Sequence, residues 1–320
     1  MITVLVTGIA GFIGSHLGEK LLADGYKVIG IDNFDPFYPA ETKRNNLKQL
    51  LPQPNFKFYE LELTEPDALN AISEDVDIVV HLAAKAGVRP SIDKPLDYLN
   101  VNVTATNLLL EWMKAKNIRK YVFASSSSIY GNNKSIPFKE TDVVDFPISP
   151  YAYTKKACEL MNYTYHHLNH IDTVNLRFFT VYGPRQRPDL AIHKFVDMIR
   201  QGKPLPLYGD GSTARDYTFV GDIVKGITGA MKYVLENEQV YEIVNLGNNE
   251  PVPLKTLVTT LFGLMGKEPA INYLPMQPGE VDITFASIDK AKKLWGYSPE
   301  TTITDGLKQF ITWFDNQHQQ

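Results

Sequence analysis

Apolar positions recur along this chain with two periods, and the switches between them mark out its elements. The β-branched run ITVLV near the start stops at TGIAGFIG, after which SHLGEKLLADG repeats its apolar positions at helical spacing and ends on a glycine. That order is strand, glycine turn, helix. A second strand, YKVIGID, ends at Asp32, 18 positions beyond Gly14. Apolar runs at FKFYELEL, VDIVVHLAA and KYVFASSS predict further strands, and stretches between them, such as PLDYLNVNVTATNLLLEWMKAKN, predict helices. Strands that alternate with helices pair in parallel through right-handed crossovers, so the expected fold class is α/β with a doubly wound parallel sheet. Beyond about residue 180 the pieces shorten and Pro and Gly multiply, as in GPRQRPD, GKPLPLYGDGS, GNNEPVP and LPMQPGE. The expected division is a sheet domain over residues 1–180, to which some later segments return, and a smaller loop-rich α/β lobe over residues 181–320. The helices after VKGI and before WFDNQ are compatible with either.

Composition narrows the classes. Hydrophobic residues make up 44% of the 320 and charged residues 21%, as in ordinary globular domains and unlike disordered or coiled-coil chains. Thirty-two Lys plus Arg against 36 Asp plus Glu leave a net charge of −4, which argues against nucleic acid as a partner. Any anion must therefore be held locally. Cys158 is the only cysteine, so a cysteine-based zinc or redox site is excluded and a reducing cytoplasm is expected. No apolar run approaches the roughly 18 residues of a membrane span. The opening MITVLVTG has neither a basic leader nor a cleavage site, and the chain is read as cytosolic and complete.

Gly8, Gly11 and Gly14 form G-x-x-G-x-x-G where the first strand turns into the first helix. A pyrophosphate lying against backbone there excludes side chains and meets the free N–H groups and dipole of the helix. The same glycines would also serve plain close packing of helix on sheet. Asp32 at the end of the second strand favours the dinucleotide: a carboxylate there accepts from ribose hydroxyls and repels a 2′-phosphate, selecting NAD over NADP.

The second constellation begins at ASSSSIYG, a strand ending in serines. About 25 residues later comes SPYAYTKKACE, with Tyr151 and Lys155 at Y-x-x-x-K. Positions i and i+4 share a helix face, so phenol and ammonium reach one pocket. A phenol of pKa about 10 needs help to act as a base, and lowering it by ~3 units takes about 4 kcal/mol, within reach of two close cations in a dry pocket. Y-x-x-x-K alone also describes an ordinary half-buried helix tyrosine, and Tyr153 stands beside it. His166 and His170 are i,i+4 on the same helix, but no third ligand is evident and no metal is expected.

Taken together, TGIAGFIG, HLAAKAG, ASSSSIYG, SPYAYTKKACE, LRFFTVYGPR, YGDGSTARDYTFVGDI and PGEVDITFA resemble, in order and nearly end to end, the extended short-chain dehydrogenase/reductases, in particular their NAD-dependent nucleotide-sugar epimerases and dehydratases. The resemblance implies a Rossmann domain binding NAD and a smaller lobe binding a UDP-sugar. It implies Ser126 as the catalytic hydroxyl, Tyr151 as the base, and Lys155 as the group that holds the nicotinamide ribose and tunes Tyr151. Cofactor contacts implied are Gly8, Gly11, Phe12, Ile13, Gly14, Asp32, Asn33, Leu82, Ala83 and Ala84, with Glu62 and Leu63 at the adenine, where the family more often has Asp than Glu. Arg89 is implied on the substrate side, Arg215 at the UDP diphosphate and Tyr208 beside the uracil.

Sugar 4,6-dehydratases carry an Asp–Glu pair after the catalytic hydroxyl, and decarboxylating members a Glu just before Val-Tyr-Gly. This chain has Ser127 and Ser128 there, which favours simple epimerisation. DNFDPFYPAETKRNNL and FFTVYGPRQRPDLA resemble the UDP-glucuronate 4-epimerase branch. A glucuronate carboxylate needs a cation or hydroxyl donors, and Thr180 and Arg187 are the candidates, with Ser127 and Ser128 in support. Arg187 as a solvent-facing or phosphate-binding residue is the alternative. A UDP-glucose/UDP-galactose 4-epimerase is the rival within this chemistry, and a non-catalytic NAD-binding scaffold the rival outside it. Apolar residues on the Tyr151 helix, Leu160 and Met161 among them, are expected to pair two copies, since the family commonly dimerises there.

Overall fold

The computed structural model describes residues 1–275 and 282–317. Its frame is a seven-stranded, wholly parallel sheet. The strands of its first half are β1 (Thr3–Thr7), β2 (Lys27–Asp32), β3 (Phe56–Glu60), β4 (Ile78–His81), β5 (Lys120–Ser126) and β6 (Asp172–Phe178). Three short strands follow, β7 (Thr180–Tyr182), β8 (Leu205–Tyr208) and β9 (Ala214–Phe219), and then β10 (Tyr241–Leu246), β11 (Pro251–Pro253) and β12 (Ile271–Leu274). The large sheet runs β10-β6-β5-β4-β1-β2-β3. The chain builds outward from β1 to β3, then returns to β4 on the other flank of β1. That reversal opens a crevice at the carboxyl ends of β1 and β4, the usual ligand site of an open parallel sheet.

The helices are α1 (Phe12–Ala23), α2 (Ala40–Leu47), α3 (Val88–Asp93), α4 (Pro95–Tyr98), α5 (Ala105–Ala115), α6 (Pro150–Asn169), α7 (Ala191–Arg200), α8 (Val220–Glu236), α9 (Leu254–Met265), α10 (Asp289–Trp295) and α11 (Ile303–Gln317). Strand alternation sends Val4, Val6, Val28 and Val80 to one face, where Leu17 and Leu21 of α1 and Ile223, Ile227 and Met231 of α8 cover them. Leu5, Ile29, Val79, Tyr121 and Phe123 go to the other face, under Leu109 and Met113 of α5 and Cys158 of α6. Both faces are buried, so the strands read as nearly continuous apolar runs.

The helices left open by the sequence divide between the two cores. The one after VKGI is α8 and packs beneath the large sheet, together with β10 at its edge. The one before WFDNQ is α11, whose Leu307, Phe310 and Phe314 join α7, α9 and β8 in the second core. The stretch expected as one helix over residues 95–117 is broken: α4 passes through a widened turn at Leu99–Thr104 before α5. The turn has a physical reason to be there. Asn102, buried within it, accepts from the Lys85 amide at 2.8 Å and donates to the Lys85 carbonyl at 3.0 Å and to Thr154 Oγ1 at 3.1 Å, so a side chain bridges the loop after β4 to α6. Such widened turns cluster at functional sites.

Candidate active site

β1 ends at Thr7 and the chain reverses into α1 through positions only glycine fits. Gly8 has φ +72°, and a Cβ there would lie 2.9 Å from the Ala83 nitrogen. A Cβ on Gly14 would lie 2.1 Å from the Gly8 oxygen. Gly11 caps α1 without a side-chain bond, so the first amides of the helix face the crevice. These features fit a dinucleotide pyrophosphate. Asp32 closes the turn from β2: its carboxylate accepts from the Ala10 amide at 3.1 Å and the Phe34 amide at 2.9 Å. Burial raises its pKa and Lys43, 3.9 Å away, opposes the rise. Asn33 donates to Glu62 at 2.6 Å, and Glu62 also accepts from the Thr64 amide, so the two are held as a pair at the rim.

His81 shows how the floor is pinned. It is fully buried between Thr7 Oγ1 at 2.7 Å from Nδ1 and Thr106 Oγ1 at 3.0 Å from Nε2. Thr106 gives its proton to the Asn102 carbonyl, so it accepts from Nε2–H, and Nδ1 accepts from Thr7. Burial lowers the His81 pKa to about 3, and the ring is a neutral strut. Thr7 Oγ1 in turn accepts from the Leu82 and Ala83 amides.

On the other side of the crevice, β5 ends at Ser126 and turns through Ser127–Tyr130. Ser126 Oγ accepts from the Ser128 amide at 3.2 Å and from the Ser128 hydroxyl at 3.0 Å. Ser149 caps α6 by accepting from the Ala152 amide at 3.2 Å, with Pro150 at the first helical position. Tyr151 therefore stands in the first turn, hydrogen-bonded to Ser126 and facing Arg187; burial raises its pKa, and these two neighbours oppose the rise. Lys155 donates to the Ala124 carbonyl at 2.7 Å, lies 4.8 Å over the Phe123 ring, and has a pKa lowered to about 8 by burial.

One cavity of about 670 Å³ gathers these groups, a volume in the range of small-molecule sites. It is lined by the glycine turn with Phe12 and Ile13, by Asp32, Asn33, Glu62 and Leu63, by Leu82, Ala83, Ala84 and Arg89, by Ser126, Ser127 and Ser128, and by Tyr151, Lys155, Thr180, Arg187 and Arg215. Arg187 is bound to Asp189 through two hydrogen bonds, 2.9 Å and 2.8 Å, and its guanidinium sits 5.1 Å over the Phe37 ring. Arg215 donates to the Ala214 carbonyl at 2.9 Å.

Tyr208 does not join them. Leu205 and Leu207 of β8 face the second core, and the alternation of the strand turns Tyr208 to its opposite face, outside the cavity lining. The residues PGEV of the late PGEVDITFA segment lie outside the described residues. Phe37, Tyr38, Lys43 and Lys85 line the cavity and were not anticipated. Lys85 reaches Asp35 at 3.3 Å; it stands inside HLAAKAG, and Lys43 inside DNFDPFYPAETKRNNL, on α2, so the signal was present without a geometry to give it meaning. Among the described residues no cluster of His, Cys, Asp and Glu could hold a metal, and no helix is long and apolar enough to cross a membrane.

The GDP-mannose 4,6 dehydratase family matches residues 5–310. A UDP-glucuronate 4-epimerase of Thermodesulfobacterium geofontis is 45% identical over 312 residues, covering 97% of this chain and 95% of that one. The crystal structure of UDP-glucuronic acid 4-epimerase from Bacillus cereus in complex with UDP-glucuronic acid and NAD superposes with a TM-score of 0.91 at 37% identity, over 99% of this chain and 100% of that one. A UDP-glucose 4-epimerase of Thermotoga maritima with UDP-glucose gives 0.89 at 30% identity, over 99% and 100%.

Proposed function

The chain belongs to the extended short-chain dehydrogenase/reductase family described as GDP-mannose 4,6 dehydratase, and from that premise we propose that it inverts carbon 4 of a UDP-sugar with NAD, converting UDP-glucuronate to UDP-galacturonate. The observation that carries this reading is the meeting, in one cavity with the glycine cradle, of Tyr151, its hydrogen-bonded Ser126 and the facing Arg187. The Thermodesulfobacterium and Bacillus proteins, named for that substrate, support it.

NAD, when bound, supplies the acceptor and then the donor for the hydrogen on carbon 4. The amides that open α1, at Phe12 and Ile13, would hold its pyrophosphate beside the Gly8–Gly11 turn, Asp32 and Asn33 its adenosine ribose, Glu62 and Leu63 the adenine, and Leu82, Ala83 and Ala84 would form the wall opposite Lys155. Tyr151 takes the proton of the 4-hydroxyl while Ser126 donates to the phenolate, and Tyr151 returns the proton after the 4-keto sugar has turned over. Arg215 and Arg89 keep the UDP anchored through the turn. Glucuronate passes through a β-keto acid, which loses CO₂ when its carboxylate bond aligns with the carbonyl π system. Thr180 and Arg187, with Ser127, hold that bond in the ring plane.

The purified protein, given UDP-glucuronate or UDP-glucose without added reductant, is expected to yield UDP-galacturonate from the first and little from the second by NMR. Preferential turnover of UDP-glucose would transfer the assignment to the rival sugar. Arg187→Ala is expected to lower kcat/KM for UDP-glucuronate by about thirtyfold or more and to release CO₂. Tyr153, Leu160, Tyr163 and Leu168 leave an apolar stripe on α6 partly exposed, which supports pairing of two copies. Light scattering that gave the 36.1 kDa of one chain would remove the dimer. A cytoplasmic location is part of the same proposal, supported by a single buried cysteine and by nucleotide ligands.

A further inference from the structure

From the hydrogen-bond geometry at the end of β5 we infer that Ser128 is a positioning residue: its hydroxyl proton is committed to Ser126 and thereby turns the Ser126 proton onto the Tyr151 oxygen. A serine hydroxyl has one proton to give and two lone pairs. One lone pair of Ser126 takes the Ser128 amide at 3.2 Å, a donor whose direction is set by the backbone. A Tyr151 phenolate accepts only, so the Ser126 proton must point at it. The remaining lone pair of Ser126 then calls for a donor, and the Ser128 hydroxyl at 3.0 Å is that donor. Ser126, only 9% exposed, has little water to substitute for it. The same count removes Ser128 from the group of donors expected at the sugar carboxylate, since its single proton cannot serve both.

The inference rests on Tyr151 being the base. Four groups face or adjoin that phenol: Ser126 from β5, Arg187 from the loop after β7, Tyr98 from α4 with its ring 6.2 Å away, and Lys155 one turn along α6. Arg187 supplies charge. Ser126 supplies a direct hydrogen bond, and Ser128 keeps it aimed.

The test is an ultraviolet titration of the phenolate in the NAD-loaded enzyme, with Tyr151→Phe as the blank, alongside the pH profile of kcat/KM. Ser128→Ala is expected to raise the apparent Tyr151 pKa by about one unit, so the acid limb of the profile moves up equally. Activity then falls about tenfold below that pKa and not on the alkaline plateau. Ser128→Thr, which keeps the hydroxyl, is expected to restore both curves. Ser128→Cys, a weak donor, should lie between them, and it carries the test if the alanine variant does not fold. An unmoved titration, or a rise in KM alone with an unchanged profile, overturns the inference. The titration needs no sugar, so a wrong substrate assignment would appear as a parent enzyme that titrates and does not turn over UDP-glucuronate.

Discussion

Arg177 and Arg187 each meet a carboxylate through two hydrogen bonds, Arg177 to Glu159 at 2.9 Å twice and Arg187 to Asp189 at 2.9 and 2.8 Å. The chemistry is the same and the surroundings are not. Both side chains of the first pair are 1% exposed, whereas those of the second are 16% and 35% exposed. Glu159 also accepts from Ser125 at 2.7 Å, and Arg177 gives a further proton to Tyr130, which donates to Asn245. That network ties α6, one turn beyond Lys155, to β5, β6 and β10. Every nitrogen of the Arg177 guanidinium and both oxygens of Glu159 have a partner within it. Arg187 uses its Nε and Nη2 edge on Asp189 and one ring face on Phe37, and its charge faces Tyr151. A buried fork locks a frame, while a fork at a cavity wall aims a cation.

The sharpest way to break the contrast is to remove the carboxylate from each pair. Glu159→Gln leaves a buried guanidinium without its counter-charge and is expected to cost about 3–5 kcal/mol in urea unfolding. The same measurement on Asp189→Asn is expected to show less than about 1 kcal/mol, with kcat/KM for the sugar down about tenfold because Arg187 loses its aim. Equal losses from the two changes would erase the distinction.

Asp216 sharpens it from another side, as a buried carboxylate held by N–H and hydroxyl donors instead of a guanidinium. It accepts from the Asn248, Asn249 and Ala286 amides at 2.6, 3.1 and 3.0 Å, and burial nevertheless pushes its pKa up to about 6. A raised carboxyl pKa means that the folded state binds the proton more tightly. The stabilisation it brings is complete below about pH 4 and is lost as pH rises through about 6. Unfolding midpoints between pH 4 and 7 should therefore carry a falling contribution of about 2–3 kcal/mol, absent in Asp216→Asn. Identical pH slopes for the two proteins would show that Asp216 is not the source. Kinetically this is the smallest of the effects, because Asp216 joins the 214–219, 247–249 and 284–286 segments and does not line the cavity.

Legibility followed the distance along the chain over which a feature is built. The glycine turn, Asp32, Ser126, Tyr151 and Lys155 each sit on a contiguous strand-turn or cap-helix unit, and short-range spacing is enough to show which side chains share a face. The place of Tyr208 outside the cavity lining was not legible, because a motif does not say which way a four-residue strand faces its core. Lys43 beside Asp32, Lys85 on Asp35 and Phe37 under Arg187 escaped notice for a related reason: each contact joins segments that spacing alone does not bring together.

Periodicity and glycine placement in this sequence determined a parallel doubly wound sheet, a phosphate-sized gap at the first strand end, and a phenol and an amine on one helix face. These are consequences of backbone sterics and of helical and strand repeats, which act over a few residues. Tertiary structure alone decided that α8 and β10 return to the first core, and that Arg187 is braced by Asp189 and Phe37 while facing Tyr151. It also decided that the Ser128 proton goes to Ser126, since the burial and hydrogen-bond counts behind these arrangements exist only once distant segments have closed out the water.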